Sequence, residues 1–260
     1  MLNFGFKRLF SLFLLFSSTT MLIAEEIPVE EFFCDSALSG VTLSPDGKKY
    51  AALVPINGPA CAVEEDDDPQ SARVLLVMDL ETKKPIILSG TADYARIVQF
   101  FWLNDDRIGF YKQPTRGLDA YDLWAIDIDG KNLKKLVPGK WEDGYATGAR
   151  VSFLMDDDPD HVLVEYNKRR PKYTDIYKLN IYSGRLTTLA IDPVLGNNTL
   201  MGWAIDQQGN VRGYMAMDGL KYKLYHRNNV DEDFALLREF TYQEAMFMPQ
   251  TYDYDPRYVY

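Results

Sequence analysis

Histidine and cysteine are almost absent: 260 residues contain only Cys34, Cys61, His161 and His226. Without a CxxC pair, and with two imidazoles at most, the sequence offers neither a zinc-ligand set nor a redox pair. Positive charge is also short, since 28 Lys and Arg face 38 Asp and Glu and leave a net charge of −10. Phosphate contacts need a surplus of cations, so nucleic acid is excluded as a partner. There is no HExxH, no P-loop, no G-x-S-x-G and no GxGxxG leading into a helix. Neither a cofactor nor a metal is therefore expected, and no catalytic residue is nominated. What the chain does have is 47% apolar residues and 35 aromatics, enough to build a sizeable core and too many for a disordered chain.

One apolar run stands at the start. Lys7 and Arg8 precede Leu9–Phe16, and Leu22-Ile23-Ala24 precedes Glu25-Glu26. This is the layout of a secretory signal peptide, expected to cover residues 1–24. A retained anchor is the alternative, but it needs roughly 20 apolar residues, and Ser17-Ser18-Thr19-Thr20 interrupt this run. Cleavage removes two cations and leaves −12 on a mature chain with no second run of membrane length. The expectation is an exported protein, periplasmic or extracellular, without stable membrane insertion. Export permits a disulfide between Cys34 and Cys61, which would close a loop of 28 residues. Spacing alone leaves that bridge and two unpaired thiols both open.

Residues 25–260 read as a single repetitive domain. Runs rich in Val, Ile, Leu, Tyr and Phe alternate with Gly, Pro, Asn and Asp, and helical periodicity is nearly missing after residue 40. One hairpin type occurs as VTLSPDGKKYAAL, FFWLNDDRIGFY, VSFLMDDDPDHVLVEY and GWAIDQQGNVRGYMA, and begins again as TYDYDPRYVY. Its turn anchors Ser44, Asn104, Asp156, Asp206 and Asp255 lie 60, 52, 50 and 49 residues apart. A second type alternates with it: VLLVMDLETKKPIIL, DLWAIDIDGKNLKKL, DIYKLNIYSGRLTTL and KLYHRNNVDEDFALL. Its anchors Asp79, Asp127, Asn180 and Arg227 are 48, 53 and 47 apart.

Two hairpins per period make four strands, and four-stranded units at this spacing predict an all-β β-propeller, with four blades and a partial fifth. A β-sandwich also alternates strands and turns, but it does not account for a hairpin order repeated four times. The acidic turns have a local use, because Asp and Asn accept backbone hydrogen bonds and Gly takes positive φ. Asp127-Ile128-Asp129-Gly130 is not a calcium loop, since its twelfth position is Pro138 and not Glu. The runs Glu64–Asp68 and Asp156–Asp158 read as solvated charge.

LSPDGKKYAAL, WLNDDRIGFY, DLWAIDIDGKNLKKL, DPDHVLVEY, DIYKLNIYSGRLTTL and YDYDPRYVY together resemble the N-terminal propeller of the prolyl oligopeptidase family of serine peptidases, over about residues 30–260. That resemblance implies an α/β-hydrolase domain elsewhere carrying Ser, Asp and His. The propeller would gate peptide access to that domain. The last repeat turns at Asp255-Pro256 and reaches Tyr260, so the pattern is expected to continue in a longer propeller. A strand from Ile27–Phe33 closing a five-bladed ring is the alternative. A non-catalytic propeller binding a protein or envelope partner, like that of the Tol translocation system, is the second functional reading. His161 and His226 are expected to be structural. Trp102, Trp124 and Trp203 are assigned to packing, and Trp141, in the loop GKWEDGYATG, is expected to be exposed.

Overall fold

The computed structural model describes residues 38–55, 73–88, 97–113, 119–193, 198–241, 243–244, 252 and 258. The signal segment, Cys34, Cys61, Ile27–Phe33, the acidic run Glu64–Asp68 and the turn at Asp255 lie outside these residues. The described residues form strands and turns, with no helix among them.

Four antiparallel four-stranded sheets follow one another along the chain, each pairing its strands in sequence order. Sheet 1 contains β1 (Ser39–Leu43), β2 (Lys49–Pro55), β3 (Arg73–Asp79) and β4 (Pro85–Ile87). Sheet 2 contains β5 (Ile97–Asn104), β6 (Arg107–Lys112), β7 (Asp122–Asp127) and β8 (Lys134–Val137). A separate two-stranded hairpin follows, β9 (Lys140–Glu142) with β10 (Tyr145–Thr147). Sheet 3 contains β11 (Ala149–Leu154), β12 (His161–Arg170), β13 (Tyr173–Asn180) and β14 (Leu186–Ala190). Sheet 4 contains β15 (Thr199–Ile205), β16 (Val211–Asp218), β17 (Lys221–His226) and β18 (Ala235–Thr241).

The middle strands of each sheet are apolar on both faces, so each sheet needs a cover on two sides. Successive sheets supply it. Leu53, Leu75 and Val77 of sheet 1 pack on Phe100, Trp102, Ile108 and Phe110 of sheet 2. The other face of sheet 2, through Leu123, Ala125 and Val137, meets Val162, Val164 and Leu179 of sheet 3. Leu163 and Ile176 of sheet 3 then meet Trp203, Tyr214 and Ala216 of sheet 4. Sheet order in space therefore follows chain order, the arrangement that the repeating hairpins predict.

Two tryptophans at matching positions tie neighbours together. Trp102 Nε1 donates to the Thr42 carbonyl at 3.3 Å, and Trp203 Nε1 donates to the Thr174 carbonyl at 3.0 Å. Both indoles are buried, as packing residues should be. Trp124 is half-buried on β7, with Lys112 and Lys135 ammonium groups 5.7 and 5.1 Å from its ring centre.

The turn anchors act locally. Asp79 Oδ1 accepts the backbone N–H groups of Glu81 and Thr82, and Asn180 Oδ1 accepts those of Tyr182 and Ser183. Asp206 Oδ1 accepts from Gln208 and Asn210. These are Asx-turns closing strand hairpins. In sheet 3 the anchor is Asp158 rather than the expected Asp156. The carboxylate of Asp158 pairs with His161 Nδ1 at 2.8 Å and Lys178 Nζ at 2.6 Å.

One buried ion spans two sheets. Arg107 at the start of β6 is 1% exposed; its Nε donates to the Ile181 carbonyl of sheet 3 at 2.9 Å and Nη2 to the Asn132 carbonyl at 3.1 Å. Nη1 pairs with the Asp127 carboxylate. The Tyr182 ring covers the guanidinium at 5.0 Å.

Candidate functional site

The sheets have two ends. The Asx-turns occupy one. At the other, β5 and β11 begin, β6 and β12 finish, and a cleft of about 520 Å³ opens between sheets 2 and 3. Its walls come from Gln99 on β5, Tyr111 on β6, Tyr121 before β7, Arg150 on β11, and Glu165 and Asn167 on β12.

The cleft is shaped by a hairpin where the sequence predicts a loop. Trp141 lies on β9 and is 47% exposed, as expected, but it belongs to a paired strand. The turn between β9 and β10 is Asp143-Gly144, with φ of 50° and 79°. Positive φ at both central residues makes a type I′ turn, whose twist matches the flanking strands, and Asp-Gly suits it.

Asn167 clamps this hairpin onto sheet 3. Its Oδ1 accepts the Gly148 N–H at 3.0 Å, and its Nδ2 donates to the carbonyls of Ala146 at 2.8 Å and Pro171 at 2.9 Å. Two buried aspartates fix the surrounding strands. Asp122 accepts the Gly139 N–H at 2.7 Å and pairs with Lys135 Nζ at 2.5 Å. Asp175 does the equivalent in sheet 3, accepting the Asp192 N–H at 2.8 Å and two nitrogens of Arg169 at 3.0 and 3.1 Å. The sequence does not announce this role, although Asp precedes the apolar run of both third strands, in DLWAID and DIYKLN.

Polar groups on the cleft wall are held in place by hydrogen bonds. Arg150 Nη2 donates to Glu165 Oε2 at 2.7 Å, and this bond holds the guanidinium pKa above its ordinary value. The Arg150 side chain is 73% exposed, so it presents its remaining donors to solvent. The Tyr111 hydroxyl accepts the Val151 N–H at 2.7 Å, and burial raises its pKa.

The two histidines lie elsewhere. His161 and Asp158 form an imidazole–carboxylate pair at the Asx-turn end, but Nε2 meets the Asn180 amide at 3.2 Å where a catalytic pair would present a hydroxyl. His226 stacks on Tyr252, whose hydroxyl is 3.3 Å from Nδ1, and burial lowers the imidazole pKa. Burial pushes the Tyr252 hydroxyl up to about 12. Among the described residues, no group of three or more His, Cys, Asp or Glu is placed to hold a metal ion. The cleft as built can bind and orient a ligand, and on its wall the Tyr121 hydroxyl donates to Asp119 Oδ1 at 3.2 Å.

No protein-family profile matches the chain. Dipeptidyl aminopeptidase BIII of Pseudoxanthomonas mexicana is 27% identical over 167 residues, which are 64% of this chain and 21% of that protein. A solved prolyl endopeptidase superposes with a TM-score of 0.50 at 15% identity, covering 83% of this chain and 32% of its own. Acylaminoacyl peptidase of Pyrococcus horikoshii gives 0.41 at 17% identity, covering 78% of this chain and 32% of its own. The chain is similar to a propeller-like region of prolyl-oligopeptidase-type peptidases, and spans about a fifth of the length of the curated relative it matches.

Proposed function

We propose that this chain is the propeller portion of an exported prolyl-oligopeptidase-type serine peptidase, in which each four-stranded sheet is a blade and the ring restricts peptide access to a separate α/β-hydrolase domain. The observation that carries this reading is the 27% identity to a dipeptidyl aminopeptidase over 64% of the chain, in a fold whose sheets stack in chain order.

Three features support a ring. Each described sheet interface joins one face of a sheet to the opposite face of the next, so the relation can be repeated around an axis. On the free face of sheet 1, Val41, Leu43 and Ile87 are 55%, 61% and 60% exposed, an apolar surface of the kind a neighbouring blade covers. On the far side of sheet 4, Tyr252 is 3% exposed and its carbonyl accepts from Gln207 Nε2 at 3.0 Å, which fits the entry of a fifth blade.

The gating role follows from shape. A ring of packed sheets admits an extended peptide through its opening and excludes a folded domain, while its polar clefts select and align what passes. Catalysis is assigned to the hydrolase domain that the resemblance implies.

The test is to express the whole reading frame and assay dipeptidyl and aminoacyl chromogenic substrates, then repeat the assay after inactivating the Ser of a downstream G-x-S-x-G. Activity abolished by that substitution supports the proposal. A full-length protein without such a Ser, or inert on every such substrate, refutes it.

A further inference from the structure

A second cleft, of about 370 Å³, lies on the other side of the Asn167 clamp. Its floor is aliphatic, from Leu136, Val137, Pro138 and Leu186, and its rim carries Lys140, Lys168 and Arg169 beside one carboxylate, Glu142, and the ring of Tyr166. Arg170 and Lys172 follow on the tight turn from β12 to β13, next to the lining residues Lys168, Arg169 and Pro171. Four of the chain's 28 cations thus fall within residues 168–172, in a protein of net charge −10.

Carboxylates do not account for this crowding. Lys140 pairs with Glu142 at 3.4 Å, and Arg169 pairs with the buried Asp175. The remaining carboxylates on these two hairpins are Asp143, at the tip of the β9–β10 hairpin, and Glu165 on β12, which pairs with Arg150. Among the described residues, Lys168, Arg170 and Lys172 have no ion-pair partner. Aromatic rings hold two of these three side chains: Arg170 lies 5.8 Å from the Tyr173 ring centre and Lys172 lies 5.2 Å from that of Tyr145. Like charges on one turn repel, and ring contacts that pre-position them reduce the ordering cost when an anion arrives.

We propose that this cleft is a binding site for an extended peptide segment bearing Asp or Glu side chains. Rim cations would take the carboxylates while the aliphatic floor takes intervening apolar side chains. An aliphatic floor suits side-chain methylenes, and the one aromatic ring on the cleft wall, Tyr166, is only 8% exposed, too little face for a sugar ring to stack on. The site stands on its own geometry and does not depend on the peptidase reading, since substrate and protein partner alike can present such a segment.

Fluorescence anisotropy of the 260-residue chain with a rhodamine-labelled peptide of alternating Glu and Ala tests it, against the same peptide with Gln for Glu. The Glu peptide should bind saturably and at least about tenfold more tightly than the Gln peptide. Raising ionic strength from about 0.05 to about 0.5 M should weaken it. The double substitution Lys168→Glu with Arg170→Glu should cost about tenfold or more. Lys84→Glu with Lys134→Glu, two exposed lysines elsewhere, should change affinity by less than about twofold. These side chains are exposed, so an unchanged circular dichroism spectrum is expected of every variant. Absence of saturation, equal binding of the Gln peptide, or equal loss from both charge reversals would overturn the proposal. So would displacement by an oligogalacturonate as effective as by unlabelled Glu peptide, because the cleft would then read polyanions in general.

Discussion

Replacing Arg107 with Ala should be among the most damaging single changes in the chain. The guanidinium is 1% exposed, bridges sheet 2 to the Ile181 carbonyl of sheet 3, and satisfies the Asn132 carbonyl and Asp127. Removing one partner of a buried ion pair costs roughly 3–5 kcal/mol. The Asp127 side chain is 22% exposed, so water can take over part of its solvation and the lower end applies. We expect about 3 kcal/mol, a drop of about 1 M in the urea midpoint for a chain with a slope near 3 kcal/mol per M. Arg107→Lys keeps the charge but cannot reach both carbonyls and the carboxylate together, so it should fall between Ala and wild type. Urea unfolding followed by tryptophan fluorescence measures all three proteins. Should Arg107→Ala lie within about 0.5 kcal/mol of wild type, the cross-sheet bridge contributes nothing and the reasoning fails.

Three further outcomes are expected. A Cβ at Gly139 would lie 2.4 Å from the Tyr121 backbone carbon, whereas one at Gly47 meets nothing within 4 Å and suffers only from its φ of +69°. Gly139→Ala should therefore lower stability by about 3 kcal/mol or more and Gly47→Ala by about 1, compared by thermal melting. Stability should also fall with acid in two stages. Burial holds the His226 pKa below its unfolded value, so its contribution is present above about pH 6.5 and lost as pH falls. Lys178 and then His161 depress the Asp158 pKa, so its contribution is present above about pH 4 and lost below. Melting temperatures across pH should show the upper stage vanish in His226→Gln and the lower stage shrink in Asp158→Asn. Finally, Leu43→Glu should be nearly neutral in the 260-residue chain, where Leu43 is 61% exposed. In the full-length protein it should cost about 2 kcal/mol or more, because a closing blade buries it; equal melting shifts in the two contexts would argue against closure.

The features legible in the sequence are those with local causes. Asp79, Asn180 and Asp206 announce hairpin turns because their side chains bond backbone within four residues. Trp102 and Trp203 recur at one hairpin position because each packs its indole against the preceding sheet and donates to a carbonyl there. Short outer strands such as β4, three residues long and exposed, carry little pattern of their own and show only through the hairpin they complete. The β9–β10 hairpin was missed although Asp143-Gly144 is a strong turn signal, because three-residue strands give no periodicity. Asp158 displaced Asp156 as an anchor because the choice among three adjacent aspartates is made by His161 and Lys178. The clefts were invisible for a related reason. Arg150 and Glu165, or Arg107 and Ile181, meet only after strands and sheets have stacked.

The structure of the protein expressed from its whole reading frame tests the central claim most directly. The account predicts that the four sheets form consecutive blades of a closed ring, with Leu43 and Ile87 buried against the last blade and the ring facing an α/β-hydrolase domain. Four sheets in an open stack, or a closed ring with no hydrolase domain beside it, would contradict it.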